Sequence, residues 1–243
     1  MNERGISSGT TERFVLPSVL AAAHELKTPL VLMRQLALQL AQYESTDPRA
    51  QVVHERMRLT AERSLRFVEG ITRAASLEDS LLESEPIELQ SLLQDVAHEL
   101  SPLVGQLGHR LEVRTPRQSI CLVGHREFLT SLMLNLCDNA LTYSQPGKPI
   151  ILRGARRADR IRLSVRDHGP VMSRTRFSQL SGALGQPQKP SGHPRSSGLG
   201  LWIADTFART MDSELELTRH YSNGGGGLTF SVALPRSQQL RLI

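Results

Sequence analysis

The chain has 243 residues, of which 39% are apolar and 22% are charged, a composition typical of a soluble globular protein of more than one structural unit. Its net charge of +5 is mild, and the densest basic cluster, RGARRADR (153–160), lacks interleaved aromatic residues, so we expect no nucleic-acid partner. With only two cysteines, Cys121 and Cys137, we expect no disulfide framework, and no apolar run reaches the ~20 residues that span a bilayer. We therefore expect a cytoplasmic protein without a transmembrane segment.

Residues 14–42 carry a heptad pattern that predicts one long helix. Its apolar seam consists of Leu16, Val19, Ala23, Leu26, Leu30, Met33, Ala37 and Leu40. After a break at 43–48, with Asp47 as N-cap and Pro48 as first helical residue, a second helix is predicted to extend to about Ala75. The apolar stripe of this second helix consists of Val53, Met57, Phe67 and Ile71. Two helices cannot enclose a core alone, so we expect the hairpin to form a four-helix bundle in a homodimer.

Helices and strands are mixed after a polar, acidic connector, SLEDSLLESEP (76–86). Helices are predicted at 87–100 and 126–144, and strands at 110–115, 149–155, 160–167 and 227–235. This order predicts an α+β protein whose second part is an α/β sandwich, a sheet covered by helices on one face. The Ser-, Gly- and Pro-rich segment 181–198 is expected to be mobile. The predicted regions are an N-terminus (1–13), a helical hairpin (14–76), a linker (77–86), a sandwich domain (87–236) and a tail (237–243).

The first helix contains a His-Glu pair on an exposed face. His24 lies one position off the seam residue Ala23, and Thr28 follows one turn later on the same face. An imidazole beside Glu25 is a candidate nucleophile, because the carboxylate can hold the ring tautomer and take up its proton. Considered alone, such a pair is more often an ordinary surface feature. Pro29 removes the N–H that would bond to the Glu25 carbonyl and weakens the helix there.

Two asparagines lie one turn apart on the predicted helix 126–144. The amide oxygens of Asn135 and Asn139 suit a hard cation such as Mg²⁺, which also contacts substrate phosphates. The alternative is that they satisfy buried backbone groups, and it is less favoured because asparagine prefers caps and turns to helix interiors.

Two glycine-containing segments supply further candidates. In RDHGP, at the end of a predicted strand, Asp167 can accept a hydrogen bond from an exocyclic amine, although Asp-x-Gly is also a common turn. Gly169 lets the backbone approach a flat ring. Gly198 and Gly200 precede an apolar helix and expose backbone N–H groups to an anion such as phosphate. The NGGGG segment (223–227) is expected to be a tight turn.

Four motifs, in this order and spacing, resemble those of the catalytic core of bacterial sensor histidine kinases, from about residue 14 to 236. HELKTPL (24–30) resembles the phospho-acceptor box, NLCDNALTYS (135–144) the N box, DHGP (167–170) the first glycine box and GLGLWIA (198–204) the second. The resemblance implies that the hairpin is a dimerisation and histidine phosphotransfer domain of the HisKA type. It also implies that 87–236 is an ATP-binding domain of the GHKL class.

The resemblance further implies roles for single residues. ATP would phosphorylate His24, with Glu25 as the general base, and the phosphoryl group would pass to an aspartate of a response regulator receiver domain. Thr28 occupies the position that orients water for phosphatase activity toward the regulator. Mg²⁺ would bind at Asn139, and residues 173–197 would form the ATP lid. The implied ATP-binding residues are Asn135, Asn139, Tyr143, Asp167, Gly169, Phe177, Gly198, Leu199, Gly200 and Leu201.

Three residues depart from the family pattern: Val171 and Ser196 replace usual glycines, and Thr142 replaces a frequent basic residue. They leave open a degenerate core that acts as a dimeric scaffold or mainly as a phosphatase. A related chaperone, topoisomerase or mismatch-repair ATPase is disfavoured. Proteins of those families typically have a glutamate, which activates water, at the position that Asn135 occupies in this chain. The stimulus, the cognate regulator and the choice between phosphorylation within one subunit or between two are not determined by the sequence.

Overall fold

The structure is a computed structural model that describes residues 23, 26–27, 30–31, 33–40, 48–75, 83–185, 200–222 and 225–237. The chain divides into two compact units, Met1–Ser80 and Leu81–Ile243. Across the described residues, none of the helices is both long enough and apolar enough to cross a membrane.

The first unit contains helix α1 (Pro48–Ala75), which begins at the predicted proline. The side chains that α1 buries are Leu59, Ala61, Leu65 and Val68. Val53 and Met57 of the predicted stripe are exposed in the single chain, so their part in the bundle stays a prediction. That stripe continues through the polar residues Thr60 and Ser64, so the neighbouring stripe buries more apolar surface. The side chains of Phe67 and Ile71 lie outside the described set.

The described residues of the predicted first helix form two rows with opposite environments, and 33–40 are helical. Lys27 Nζ lies 3.4 Å from Glu69 Oε1, so this segment and α1 lie side by side at that point. The buried row contains Ala23 and Ala37, which are 2% and 1% exposed, and the exposed row contains Leu26, Met33 and Leu40, at 53%, 49% and 39%. Of the six seam residues that the structure describes, two are therefore buried within the unit, Leu30 is half-buried and three are exposed.

The second unit is a sheet with helices on one face. Its elements are β1 (Glu85–Glu88), α2 (Leu89–Gln106), β2 (Arg110–Arg114), β3 (Cys121–Gly124), α3 (Arg126–Tyr143), β4 (Pro149–Arg157), β5 (Arg160–Arg166), α4 (Arg174–Gly182), α5 (Gly200–Thr210), β6 (Glu216–Ser222) and β7 (Gly225–Pro235). Five strands form one sheet in the order β2-β4-β5-β7-β6, and β1 pairs with β3. The β2–β4 pair is parallel and the other pairs are antiparallel. The expected α/β sandwich is confirmed.

The core of this unit lies between the sheet and the helices α2, α3 and α5. Helix α3 is apolar on most sides because it packs against α2, α5 and strands β4 and β5. Its Cys137 is fully buried, and burial raises the pKa of that thiol well above its usual value. Gly154 of β4 lets α2 approach, since a Cβ there would lie 2.5 Å from Leu89 Cδ2.

Several short elements differ from the sequence expectations. Ile87 and Glu88, predicted as helical, belong to β1, and the Glu88 carboxylate caps α2 by accepting the Ser91 N–H at 2.6 Å. Glutamate is not a common N-cap residue, so the pattern did not reveal the boundary. The strand predicted from 227 begins at Gly225, so three glycines assigned to a turn lie in β7. Strands β1, β3 and β6 and helix α4 were not predicted.

The face of the five-stranded sheet opposite the helices is called the open face below. Alternate residues of each strand lie on it, because side chains alternate along a strand and paired residues share a face. One cross-strand row consists of Arg114, Arg153, Ser164, Ser231 and Glu216. The helix side is apolar, and this side is polar and rich in arginine.

Candidate functional site

Five of the residues predicted to act lie outside the described part of the chain: His24, Glu25, Thr28, Gly198 and Leu199. Their roles stay predictions. The remaining predicted residues all belong to the second unit, in the second half of α3, at the end of β5, in the first turn of α5 and in helix α4.

Asp167 follows the last residue of β5 and is 5% exposed. Its Oδ1 accepts the N–H of Leu228 at 2.9 Å and the N–H of Gly169 at 2.9 Å. The Asp167 N–H donates to the Leu228 carbonyl at 3.0 Å, which extends the β5–β7 pairing by one residue. Both bonds to the carboxylate end on Oδ1, so Oδ2 is left to accept from a ligand.

Burial raises the pKa of the Asp167 carboxyl above its usual 3.8. The N–H groups of Leu228 and Gly169 oppose this rise, as do the nearby rings of His168 and His220. Burial is the largest of these effects, so the pKa of the carboxyl is raised on balance. The site therefore holds a buried carboxylate whose ionised form depends on two backbone donors.

Two glycines of β7 are required beside this carboxylate. A Cβ on Gly226 would lie 2.7 Å from Val171 Cα and 3.0 Å from Val171 N. A Cβ on Gly227 would collide with the Asp167 carbonyl oxygen, and the Gly227 φ of +155° is one that side chains rarely adopt. These glycines were expected only to form a turn. A run of four glycines directly before a strand was the available signal, because glycine in a strand often marks a close approach of another backbone.

The carboxyl end of α3 is joined to the end of β5. Ser144 Oγ accepts the His168 N–H at 3.1 Å, and the His168 carbonyl accepts the Gln145 N–H at 3.0 Å. A Cβ on Gly169 would lie 3.1 Å from the Tyr143 carbonyl oxygen. The predicted residues Tyr143, Asp167 and Gly169 are therefore brought together, as the motif spacing implied.

Asn135 of α3 lies beside the first residue of α5. A Cβ on Gly200 would lie 3.8 Å from Asn135 Oδ1, and Asn135 Nδ2 donates to the Ser131 carbonyl at 2.9 Å. Gly200 and Leu201 occupy the first turn of α5 and are half-buried. The unpaired N–H groups at a helix N-terminus favour an anion.

Asn139 lies one turn beyond Asn135 and is half-buried. Its Nδ2 is buried and has no hydrogen-bond partner among the described residues. A buried polar group without a partner costs free energy, which a ligand can recover. The unpartnered Nδ2 is a donor that suits a phosphate oxygen, and the oxygen of the same amide is the atom that could bind Mg²⁺.

Phe177 lies in α4 and packs toward β6. The Arg219 guanidinium carbon lies 5.5 Å from the centre of the Phe177 ring and 4.4 Å from that of Tyr221. Arg219 Nη1 also donates to the Met172 carbonyl at 3.1 Å. Arg219 thus fixes the segment that leads from the end of β5 into α4.

Sequence reasoning did not identify a buried acid in α5. Asp205 is buried, and its Oδ2 accepts a hydrogen bond from Arg209 Nε at 2.6 Å. Gly185, with a φ of +79°, lies directly against this pair, since a Cβ there would be 2.6 Å from Asp205 Oδ2. The chain beyond α4 is therefore held against α5 at this point.

Residues 124–238 match the family described as histidine kinase-, DNA gyrase B- and HSP90-like ATPases. Sensor protein kinase PmrB of Pseudomonas aeruginosa is 32% identical over 227 residues, which cover 89% of this chain and 45% of that protein. Sensor protein SphS of Synechococcus elongatus is 30% identical over 228 residues, covering 90% of this chain and 54% of that protein. The chain spans about half the length of these curated relatives.

Solved structures share the fold. Full-length ShkA in complex with AMPPNP matches with a TM-score of 0.63 at 20% identity, over 93% of this chain and 47% of that chain. The histidine kinase AdeS of Acinetobacter baumannii matches with a TM-score of 0.55 at 19% identity, over 88% of this chain and 98% of that chain. At these identities the likeness shows the fold alone.

Proposed function

The chain belongs to the bacterial two-component sensor histidine kinases, and from that premise we propose that it binds ATP in the second unit and phosphorylates its own His24. The phosphoryl group then passes to an aspartate of a response regulator receiver domain. The observation that carries the proposal is the buried Asp167 carboxylate, whose Oδ2 is free to accept a hydrogen bond from the exocyclic amine of adenine.

The adenine end of the site is built by the joined ends of α3 and β5. Gly169 has no side chain between the Tyr143 backbone and the Asp167 carboxylate, so a flat ring can approach this surface. Tyr143 is half-buried at the last position of α3, beside the nucleotide in the proposed pose.

The phosphate end is built by α3 and the start of α5. We propose that Asn135 and Asn139 face the phosphates and that Asn139 holds Mg²⁺ through its amide oxygen. Bound Mg²⁺ supplies neutralisation of the charge that develops on the transferring phosphoryl group. The N–H groups of the first turn of α5, at Gly200 and Leu201, bind a phosphate oxygen, as we propose for Gly198 and Leu199 before them.

In the proposed phosphoryl transfer, ATP is bound by the second unit and the acceptor, His24, belongs to the predicted first helix. A ring nitrogen of His24 attacks the γ-phosphorus of ATP, a P–N bond forms, the bond to the β-phosphate oxygen breaks and ADP leaves. Glu25 takes up the ring proton in the same step. Transfer to the regulator then breaks the P–N bond, forms an acyl phosphate and restores the histidine.

We also propose that the first unit dimerises through its exposed seam. Leu26, Met33 and Leu40 recur every seven residues, and all three are exposed in the single chain. An apolar row with heptad spacing is typical of a helix that packs against another chain. Met33→Glu should convert the dimer to a monomer in light scattering, whereas Gln39→Glu, also exposed but off the seam, should leave the dimer intact.

The central experiment is incubation with γ-labelled ATP and Mg²⁺. We expect acid-labile, alkali-stable label on the wild type and on His98→Ala, an exposed histidine of α2 that serves as the control. His24→Ala should carry no label. Label that survives His24→Ala would contradict the assignment of the acceptor, and absence of both label and nucleotide binding would favour a dimeric scaffold.

Phosphatase activity toward the regulator is proposed on Thr28 alone. Thr28→Ala should slow the loss of phosphate from the regulator in the presence of the protein, while labelling of His24 keeps its rate. A parallel loss of both activities would contradict a specific role for Thr28.

A further inference from the structure

The open face of the sheet collects arginines that are scattered in the sequence. Seven lie on it by strand register: Arg110, Arg114, Arg153, Arg157, Arg160, Arg162 and Arg166. Two strand acids, Glu112 and Glu216, share the face. Seven positive charges less two negative charges leave +5, which equals the net charge of the whole chain. The fold therefore gathers on one surface an excess of positive charge that the sequence does not show.

Like charges stand directly opposite each other on this surface. Arg114 pairs with Arg153 across β2 and β4, and Arg157 pairs with Arg160 across β4 and β5. Directly opposed like charges destabilise a sheet, so an ordinary solvated face would favour mixed signs. The arrangement indicates a role that outweighs this cost.

Only part of the positive charge is neutralised by acids of the same unit. Arg114 pairs with Glu112, and Arg162 pairs with Glu216 at 2.8 Å. Arg153 and Arg157 are exposed and pair with no carboxylate of the described residues. Arg166 has a buried Nε that meets no hydrogen-bond acceptor in the same part of the chain. Arg153 and Arg157 therefore have no anionic partner among the described residues.

We propose that the open face binds the headgroups of an anionic lipid bilayer. The alternatives fit the surface less well. A protein partner needs apolar or aromatic anchors at the centre of its interface, and here Ile151 is buried beneath the polar side chains. Single-stranded nucleic acid needs aromatic platforms, and the strand register places no Phe, Tyr or Trp of the sheet on this face. A five-stranded sheet is also too broad for the major groove of a duplex.

The size and shape of the surface favour many weak contacts. Strands lie about 4.8 Å apart and alternate residues about 6.7 Å apart along a strand, so each arginine reaches a separate headgroup. The sheet twists by about 20–25° per strand, which limits simultaneous contact with a plane to two or three strands. The central contacts are therefore those of β4 and β5, with Arg153 in the middle of β4 and Arg157 at its end.

The test is sedimentation of the purified chain with vesicles. We expect binding to vesicles of phosphatidylcholine mixed with phosphatidylglycerol, no binding to phosphatidylcholine alone, and release at about 1 M salt, where the screening length falls to about 3 Å. Each charge near an anionic surface contributes about a fivefold change in binding. Arg153→Glu changes two charges and should weaken binding about thirtyfold, and Arg153→Glu with Arg157→Glu should abolish it.

The matched control is Arg117→Glu, which makes the same charge change at an exposed position in the β2–β3 connection. It should bind like the wild type, and equal weakening in this variant would overturn the proposal in favour of unspecific attraction. Binding of a random DNA duplex that requires Arg153, without vesicle binding, would also overturn it. ATP binding, measured on each variant, reports whether the second unit is folded, and Arg153→Gln replaces Arg153→Glu if it is not.

Discussion

Asp167 and Leu228 hold each other twice: the Asp167 N–H donates to the Leu228 carbonyl at 3.0 Å, and Asp167 Oδ1 accepts the Leu228 N–H at 2.9 Å. The first bond belongs to the strand ladder and the second engages the side chain. Together they fix both the backbone and the rotamer of the proposed adenine acceptor. The carboxylate is therefore in place before any ligand arrives, which reduces the ordering cost of binding.

Asp167→Asn should separate binding from folding. The amide oxygen can still accept from Leu228 and Gly169, but an NH₂ group then replaces Oδ2 and opposes the adenine amine. We expect ATP affinity to fall about tenfold to a hundredfold, as for a lost hydrogen bond to a charged group. Fluorescence titration with a nucleotide analogue measures this. Asp95→Asn, at an exposed position of α2, should leave the affinity unchanged.

As the pH is lowered, nucleotide affinity should start to fall at a higher pH than it would if Asp167 had the pKa of an ordinary aspartate. Burial raises the pKa of Asp167 above 3.8, so the acceptor is lost by protonation as the pH falls through that raised value. The stability of the fold changes with pH in the opposite direction to nucleotide affinity, because the raised pKa favours the protonated carboxyl in the folded state. The group contributes most below its unfolded pKa, and this contribution is lost as the pH rises through the folded pKa. At neutral pH, Asp167→Asn should therefore be no less stable to urea than the wild type, and clear destabilisation would contradict the raised pKa.

Asn139→Ala should lose function without losing stability. The wild-type amide nitrogen is buried without a described partner, and alanine is a better helix former than asparagine. We expect the free energy of unfolding to stay level or rise by about 1 kcal/mol, while Mg²⁺-dependent ATP affinity falls more than tenfold. Urea titration and calorimetry measure the two quantities. A matching loss of both would mean that the amide is structural.

Gly226→Ala should disturb the adenine site through the backbone. Its new Cβ would press on Val171, whose backbone continues the segment that leads from Asp167. We expect destabilisation of about 1–3 kcal/mol and a loss of ATP affinity. Gly105→Ala is the control, because no atom lies within 4 Å of its added Cβ. That variant should be neutral or more stable by up to about 1 kcal/mol, since Gly105 is helical.

Removing Arg209 and removing Asp205, the two partners of the ion pair in α5, should lower the free energy of unfolding by different amounts. Arg209 is largely exposed, whereas the Asp205 side chain is only 3% exposed. Arg209→Ala leaves a buried carboxylate without its partner and should cost about 1–3 kcal/mol of unfolding free energy. Asp205→Asn leaves only a solvated guanidinium and should cost less. Chemical denaturation of the two variants compares them, and equal costs would show that Asp205 acts through packing instead.

Motifs in the sequence were enough to single out the residues of the proposed nucleotide site. The two asparagines stand out because asparagine is unusual in a helix interior, whereas Asp167 and Gly169 were assigned by the order and spacing of the four motifs. Periodicity likewise predicted α3, β4 and β5 to within two residues at each end. These features depend on neighbours close in sequence.

Features that depend on distant neighbours were missed. Gly226 and Gly227 are needed because residues 167–171 pass close by, about sixty positions away along the chain. In the sequence Asp205 is an ordinary residue of a helix, and only the fold shows that Gly185 packs against it. Strand register, which pairs Arg114 with Arg153, also cannot be obtained from the order of charges along the chain.

Cys137 lies between the two asparagines in sequence and is fully buried, with a thiol whose pKa is well above its usual value. A thiol in this state does not react with alkylating reagents until α3 leaves the core. The rate at which Cys137 is alkylated therefore measures how often the second unit opens. If ATP binds beside α3, it stabilises the folded second unit and should slow the alkylation of Cys137. The native cysteine serves as the reporter, so no label has to be introduced.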